Sequence, residues 1–82
     1  MMNIRVMYSG HFRDITGKKE ETVELEEGKT LNCLFDALCS GYTNLSPLKS
    51  GTIYLVNGKI AKKEKVLTDG DEVKLFQMMA GG

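Results

Sequence analysis

A single stretch of the chain repeats apolar residues at helical spacing: Leu31, Leu34, Phe35 and Leu38, at i, i+3, i+4 and i+7. Thr30 stands where an N-cap is wanted, and Gly41 suits a left-handed residue that ends the helix. Before and after this stripe the apolar residues alternate instead. From Asn3 to Ser9, Ile4, Val6 and Tyr8 share one face, and Arg5, Met7 and Ser9 the other. Thr22 to Glu26 repeats the pattern, with Val23 and Leu25 inward and Glu24 and Glu26 outward. Gly10 opens the connection between these two strands, which runs to about Glu20 and is broken at Gly17. Strands joined in this way most simply pair antiparallel.

Beyond the helix, Tyr42 to Gly51 contains Ser46-Pro47 and reads as a loop. Thr52 to Val56 is rich in strand formers, and Asn57-Gly58 is the strongest two-residue hairpin signal, returning the chain through Lys59-Ile60-Ala61. Lys62 to Lys65 is an exposed connection and Asp69-Gly70-Asp71 a turn. Glu72 to Phe76 is the last strand, with Val73 and Leu75 on one face. The order β-β-α-β-β-β belongs to the α+β class: a mixed sheet of four or five strands with one main helix on one face. Its compact solution is the ubiquitin-like β-grasp. The expected organisation is a β-grasp domain over 1–76 and a flexible tail over 77–82.

With 82 residues there is room for one small domain and a thin core. Eleven Lys+Arg balance eleven Asp+Glu, which argues against a nucleic-acid partner, normally met by a basic excess. No apolar run approaches the roughly 18 residues of a membrane span. The first residues, Met1-Met2-Asn3-Ile4-Arg5, do not resemble a signal peptide, so a cytoplasmic location is expected. Cys33 and Cys39, six positions apart on one helix, would be separated by about 9 Å of axial rise and face different sides. Both are expected as free thiols and small apolar fillers.

Enzyme signatures are absent. No glycine-rich loop carries a lysine into a helix, and His11 has no nucleophile or metal-ligand partner at a recognisable spacing. Asp69 and Asp71 flank a turn glycine and are turn chemistry. Glu20, Glu21, Glu24, Glu26 and Glu27 form an acidic stretch, and Lys59, Lys62, Lys63 and Lys65 a basic one. Both are read as solvated faces. No metal or permanently bound cofactor is expected.

The end of the chain is different: Phe76-Gln77-Met78-Met79-Ala80-Gly81-Gly82 follows directly on the last strand. Nine glycines in 82 residues put a chance Gly-Gly at a given place at about one in a hundred. A carboxylate flanked by residues without a Cβ can thread a narrow channel, be activated as an acyl-adenylate and be attacked without hindrance. Gln77 to Gly82 would reach about 20 Å when extended. Phe76, Met78 and Met79 would add an adaptable apolar strip at its root. Core closure under the sheet is the alternative for the methionines and stands equal for Phe76.

These residues resemble the β-grasp sulfur carriers, most closely the small subunits of molybdopterin synthases, over essentially the whole chain. The resemblance rests on several segments. They are Ile4-Arg5-Val6-Met7-Tyr8, Phe12-Arg13-Asp14-Ile15-Thr16-Gly17, Val56-Asn57-Gly58-Lys59, Leu67-Thr68-Asp69-Gly70-Asp71-Glu72-Val73 and Gly81-Gly82. It implies a non-catalytic carrier subunit of a sulfurtransferase complex. An ATP-using adenylyltransferase related to ubiquitin-activating enzymes would adenylate Gly82. A sulfur donor, a cysteine desulfurase or rhodanese-like protein, would convert the adenylate to a thiocarboxylate. The large synthase subunit would then receive the tail and pass its sulfur to cyclic pyranopterin monophosphate, building the dithiolene that holds molybdenum or tungsten. By match of position Gly82 carries the sulfur and Gly81 gives passage, while Phe76, Met78, Met79 and Ala80 line the docking surface. Many such subunits have two prolines where Gln77-Met78 stand, so this tail is expected to be less stiff. A carrier for another pathway such as thiamine synthesis, or a ubiquitin-like modifier conjugated through Gly82, would share the other motifs. A plain interaction module would tolerate loss of the last two residues.

Overall fold

A computed structural model describes residues 1–77. Its elements are β1 (Met2–Tyr8), α1 (His11–Thr16), β2 (Glu20–Leu25), α2 (Leu31–Gly41), a 3-10 stretch (Thr43–Gly51), β3 (Thr52–Val56), β4 (Lys59–Ala61) and β5 (Glu72–Gln77). The alternation of β1 is realised strictly, with Met2, Ile4, Val6 and Tyr8 buried. That strand is paired on both sides, antiparallel to β2 and parallel to β5. β5 continues antiparallel to β3, and β3 to β4, so one five-stranded sheet runs in the order β2-β1-β5-β3-β4. α2 presents Leu31, Leu34, Phe35 and Leu38 to it, all buried. This is the ubiquitin-like β-grasp, with its last strand at the centre of the sheet.

The core lies between helix and sheet. Phe35, fully buried, meets Phe12 and Tyr54 edge-on with ring centroids 6.2 and 6.4 Å away, a geometry that suits the ring quadrupoles. Leu45 and Leu67 close the layer from the connections. Thr30 caps α2 as its side chain accepts from the Cys33 N–H at 3.3 Å. Cys33 and Cys39 are both half-buried free thiols on this helix. The Asn57-Gly58 hairpin has φ of 51° and 84° at its two central residues, the doubly positive turn that matches strand twist.

Several expected details differ. The first connection contains α1, a six-residue helix that buries Phe12 and ends at Gly17, left-handed at φ 72°. His11 therefore opens a helix, although it remains exposed. Gly41 is not a left-handed terminator: α2 runs through it and closes on Tyr42, which is extended at φ −132°. The reason is tertiary, because the Tyr42 ring packs edge-on against Tyr8 at 6.5 Å and its hydroxyl is engaged by Glu21. Tyr42 to Gly51 is largely 3-10 helix rather than open loop, pinned by buried Leu45. Finally, β5 continues one residue past the expected boundary at 76, since Gln77 pairs with Thr52.

Candidate functional site

The fold delivers the root of the terminal segment from the middle of the sheet. β5 lies between β1 and β3, and its exit is held from the β1 side by Ser9, whose hydroxyl donates to the Leu75 carbonyl at 2.9 Å. Strand alternation sends Val73 and Leu75 into the core and turns Glu72, Lys74 and Phe76 to the face away from α2. Phe76 is half-buried there, directly opposite Ile53 on β3. Of its two readings, core or outer surface, the structure places it on the outer face. Met7, Ile53 and Leu55 share that face half-exposed, and Ile60, opposite Leu55, is 79% exposed. Arg13, Lys19, Lys74 and the acidic Glu20 line a shallow hollow beside Phe76 and Met7. β5 thus ends next to an apolar band with a charged rim. Met78, Met79, Ala80, Gly81 and Gly82 lie outside the described residues.

The acidic stretch holds one residue that is no solvated surface group. Glu21 is in phase with Val23 and Leu25, so the alternation turns it toward the helix side. Its carboxylate accepts hydrogen bonds from the Tyr8 hydroxyl, from the Tyr42 hydroxyl at 2.9 Å and from Lys18 Nζ at 3.2 Å. Burial would raise this carboxyl, but the three donors and the Lys18 charge outweigh it and hold it below the usual range. Burial, then the bond to Glu21, pushes the Tyr8 phenol well up. Because the Glu21 carboxyl is lowered on folding, its contribution is present above the ordinary glutamate value of 4.5 and is lost as pH falls through the folded one. Glu21→Ala should cost on the order of 2 kcal/mol at neutral pH, or about 10 °C in a domain of this size. The loss should shrink as pH falls below 4.5, the ordinary glutamate value. Thermal melts of both proteins against pH check it, and a variant as stable as the parent at pH 7 contradicts it. The cluster ties β1, β2 and the end of α2 together, and its role is structural.

The other titratable candidates are dispersed. Hydrogen bonds with the Thr30 hydroxyl and then with the Thr30 backbone lower the Cys33 thiol, whereas burial raises that of Cys39. Asp69 accepts from the Asn3 N–H at 2.7 Å, and Asp71 from the Thr68 N–H at 2.8 Å and the Asn57 amide at 2.9 Å, so both fasten turns. Among the described residues no three His, Cys, Asp or Glu side chains gather to hold a metal ion. No helix among them is long and apolar enough to cross a membrane.

The architecture agrees with what comparison with known proteins finds. The model of the ThiS family matches residues 6–82. The chain belongs to the ThiS family. A molybdopterin synthase sulfur carrier subunit of Mycobacterium tuberculosis is 34% identical, with 100% of each chain covered. The molybdopterin synthase sulfur carrier subunit of Chlamydomonas reinhardtii is 26% identical over 99% of this chain and 100% of its own. Among solved structures, a Pyrococcus furiosus protein assigned as molybdopterin converting factor subunit 1 superposes with a TM-score of 0.87 at 24% identity, covering 96% of this chain and 100% of that one. That likeness supports the β-grasp fold.

Proposed function

We propose that this chain is the sulfur-carrier subunit of a molybdopterin synthase. The observation that carries the reading is the end-to-end match, at 34% identity, with a molybdopterin synthase sulfur carrier subunit. The geometry of β5 supports it: a central strand carries an outward Phe76 next to its last residue, Gln77, a few residues before Gly81-Gly82.

In this reading an adenylating enzyme uses ATP to convert the Gly82 carboxylate to an acyl-adenylate, releasing pyrophosphate. Sulfide then displaces AMP to leave a thiocarboxylate directly, or a donor persulfide displaces AMP to form an acyl disulfide that a thiol cleaves to the thiocarboxylate, the thiol ending as a disulfide with the donor. The large synthase subunit takes the loaded terminus, and the sulfur passes to cyclic pyranopterin monophosphate on the way to a molybdenum or tungsten cofactor. The chain supplies no acid or base to these steps. It supplies a carboxylate flanked by glycines that a narrow channel admits. Its apolar band around Phe76, together with Met78, Met79 and Ala80, the residues that follow in sequence after Gln77, docks on the partners. ATP and the acid–base groups belong to the partners, and the work is placed in the cytoplasm.

Reconstitution tests the reading. The chain, its adenylating enzyme, ATP and a sulfide source should yield protein that, with the large subunit, converts cyclic pyranopterin monophosphate to molybdopterin. Failure of the loaded protein to do so, with a known carrier working in parallel, overturns it. Phe76→Ala should weaken binding to the large subunit by about 30-fold while costing the fold only about 1 kcal/mol. Titration calorimetry alongside a melt checks this, and unchanged affinity contradicts the docking role of Phe76.

A further inference from the structure

The strands at the two ends of the sheet carry opposite charge. β2 holds Glu20, Glu21 and Glu24 and runs into Glu26, while β4 starts at Lys59 and runs into Lys62, Lys63 and Lys65. Glu20 and Glu21 are paired with Arg5 and Lys18. Glu24, Glu26 and those lysines enter no ion pair among the described residues. The even balance of charge in the sequence thus conceals a separation across the sheet. Both ends also keep main-chain groups unpaired. Val56 and Lys59 close a two-residue turn as a hydrogen-bonded pair, so Ile60, opposite Leu55, points its N–H and C=O away from β3. At the other end the Tyr8 N–H donates to the Lys19 carbonyl at 2.8 Å, and the same alternation bonds Glu21, Val23 and Leu25 to β1. The main-chain groups of Glu20, Thr22 and Glu24 therefore face outward. Nothing else among the described residues bonds to the main chain at Ile60 or at these three positions. A bare edge is a template for another strand, and charge along it is the usual guard. Here the guard works only between like edges: β2 repels a second β2 and β4 a second β4, whereas β4 and β2 attract.

We propose that copies of this chain associate head to tail, β4 of one pairing with β2 of the next. The strand directions allow it. β1 is parallel to β5, β5 antiparallel to β3 and β3 to β4, so β4 runs with β1, and β2 runs against both. Two copies side by side with their helices on one face therefore meet as an antiparallel pair. Seating Ile60 opposite Glu24 of the neighbour sets Lys62 opposite Thr22, with Glu20 and Glu24 diagonal to it on the same face. In that register Lys18 and Lys19 fall beyond Lys62. Ile60, the most exposed large apolar side chain among the described residues, is covered by the contact. The contact is heterologous, so a free edge remains at each end and the assembly lengthens with concentration rather than closing as a dimer. β4 has only three residues, so the association is weak and sensitive to salt. β5 is the middle strand, and the Phe76 face stays open in the assembly. The inference goes beyond the sulfur-carrier reading and does not depend on it.

Sedimentation equilibrium of the full chain, beside a melt of each variant, is the test. In about 20 mM salt the weight-average mass should climb past that of two chains as concentration approaches about 1 mM, and in about 0.5 M salt it should return to that of one. A basic edge reversed by Lys59→Glu, Lys62→Glu and Lys63→Glu should leave the protein monomeric, as should an acidic edge reversed by Glu24→Lys and Glu26→Lys. An equimolar mixture of the two should associate at least about tenfold more tightly than either alone, because each reversed edge then meets its complement. Ile60→Pro removes the outward N–H without breaking a bond to β3. It should weaken association at least about tenfold with a melting temperature within about 3 °C of the parent. A monomer at every concentration in low salt overturns the proposal, as does a plateau at two chains. Association that persists in high salt, or that Ile60→Pro leaves unchanged, overturns it by assigning the contact to another surface. A mixture of the two reversed chains that stays monomeric does the same.

Discussion

Adding one alanine after Gly82, or removing Gly82, is expected to reduce thiocarboxylate formation by at least about a thousandfold while leaving the fold intact. Either change moves the terminal carboxylate by about 3.5 Å along the chain. A shift of about 1 Å away from productive geometry already costs on the order of a hundredfold, and the alanine also brings a Cβ to the reacting end. The fold should not respond, because the described core stops at Leu75. Melting temperatures should agree within about 3 °C, as for surface substitutions. The pair of readings separates function from stability: activity lost with an unchanged melt is the expected result. An extended chain that still supports molybdopterin synthesis in cells would contradict the role given to Gly82.

The second large effect is on the fold. Phe35→Ala removes the ring that bridges Phe12 on α1 and Tyr54 on β3, from a site with no exposure. Such truncations cost about 3–5 kcal/mol, from lost transfer energy and the cavity left behind. A domain of this length holds only about 4–12 kcal/mol in total. The variant should therefore melt at least about 15 °C below the parent, or be largely unfolded at 37 °C. Urea or thermal unfolding followed by circular dichroism measures it. A loss below about 1 kcal/mol would mean that the helix and sheet are not joined through this aromatic row.

What was legible in the sequence, and what was not, follows from how each element is encoded. The strands carry their periodicity openly in Ile4-Val6-Tyr8, Val23-Leu25 and Val73-Leu75, and Asn57-Gly58 specifies a turn by backbone angles alone. α2 shows its stripe because three turns sample the helical period. α1, at six residues, gives only Phe12 and Ile15 at i, i+3, too few to separate a helix from a connection. Gly17, which ends it, was visible as punctuation without a helix to attach it to. The end of α2 was hidden for another reason. Tyr42 closes the helix because Tyr8 and Glu21 hold it from elsewhere in the fold, and no local signal marks such a contact. Glu21 and Gln77 could have been found by extending the alternation of their strands one step further, since both are polar residues on an inward phase. Polar residues in such positions are where local pattern and global fold part company, and Glu21 became the centre of a structural cluster. Phe76 was ambiguous between core and surface until the register of β5 against β3 fixed its face.

The most direct test of the central claim is the intact mass of the untagged protein, isolated from its own cells without added thiols. A species heavier by the difference between a sulfur and an oxygen atom, mapped by fragmentation to Gly82, is the predicted result. Its appearance should depend on the adenylating enzyme and vanish in the chain lacking Gly82. The unmodified mass alone, in cells that are actively making the cofactor and contain no adenylating step dependent on this chain, would contradict the account. So would covalent high-mass conjugates through Gly82 with no trace of the sulfur-bearing form.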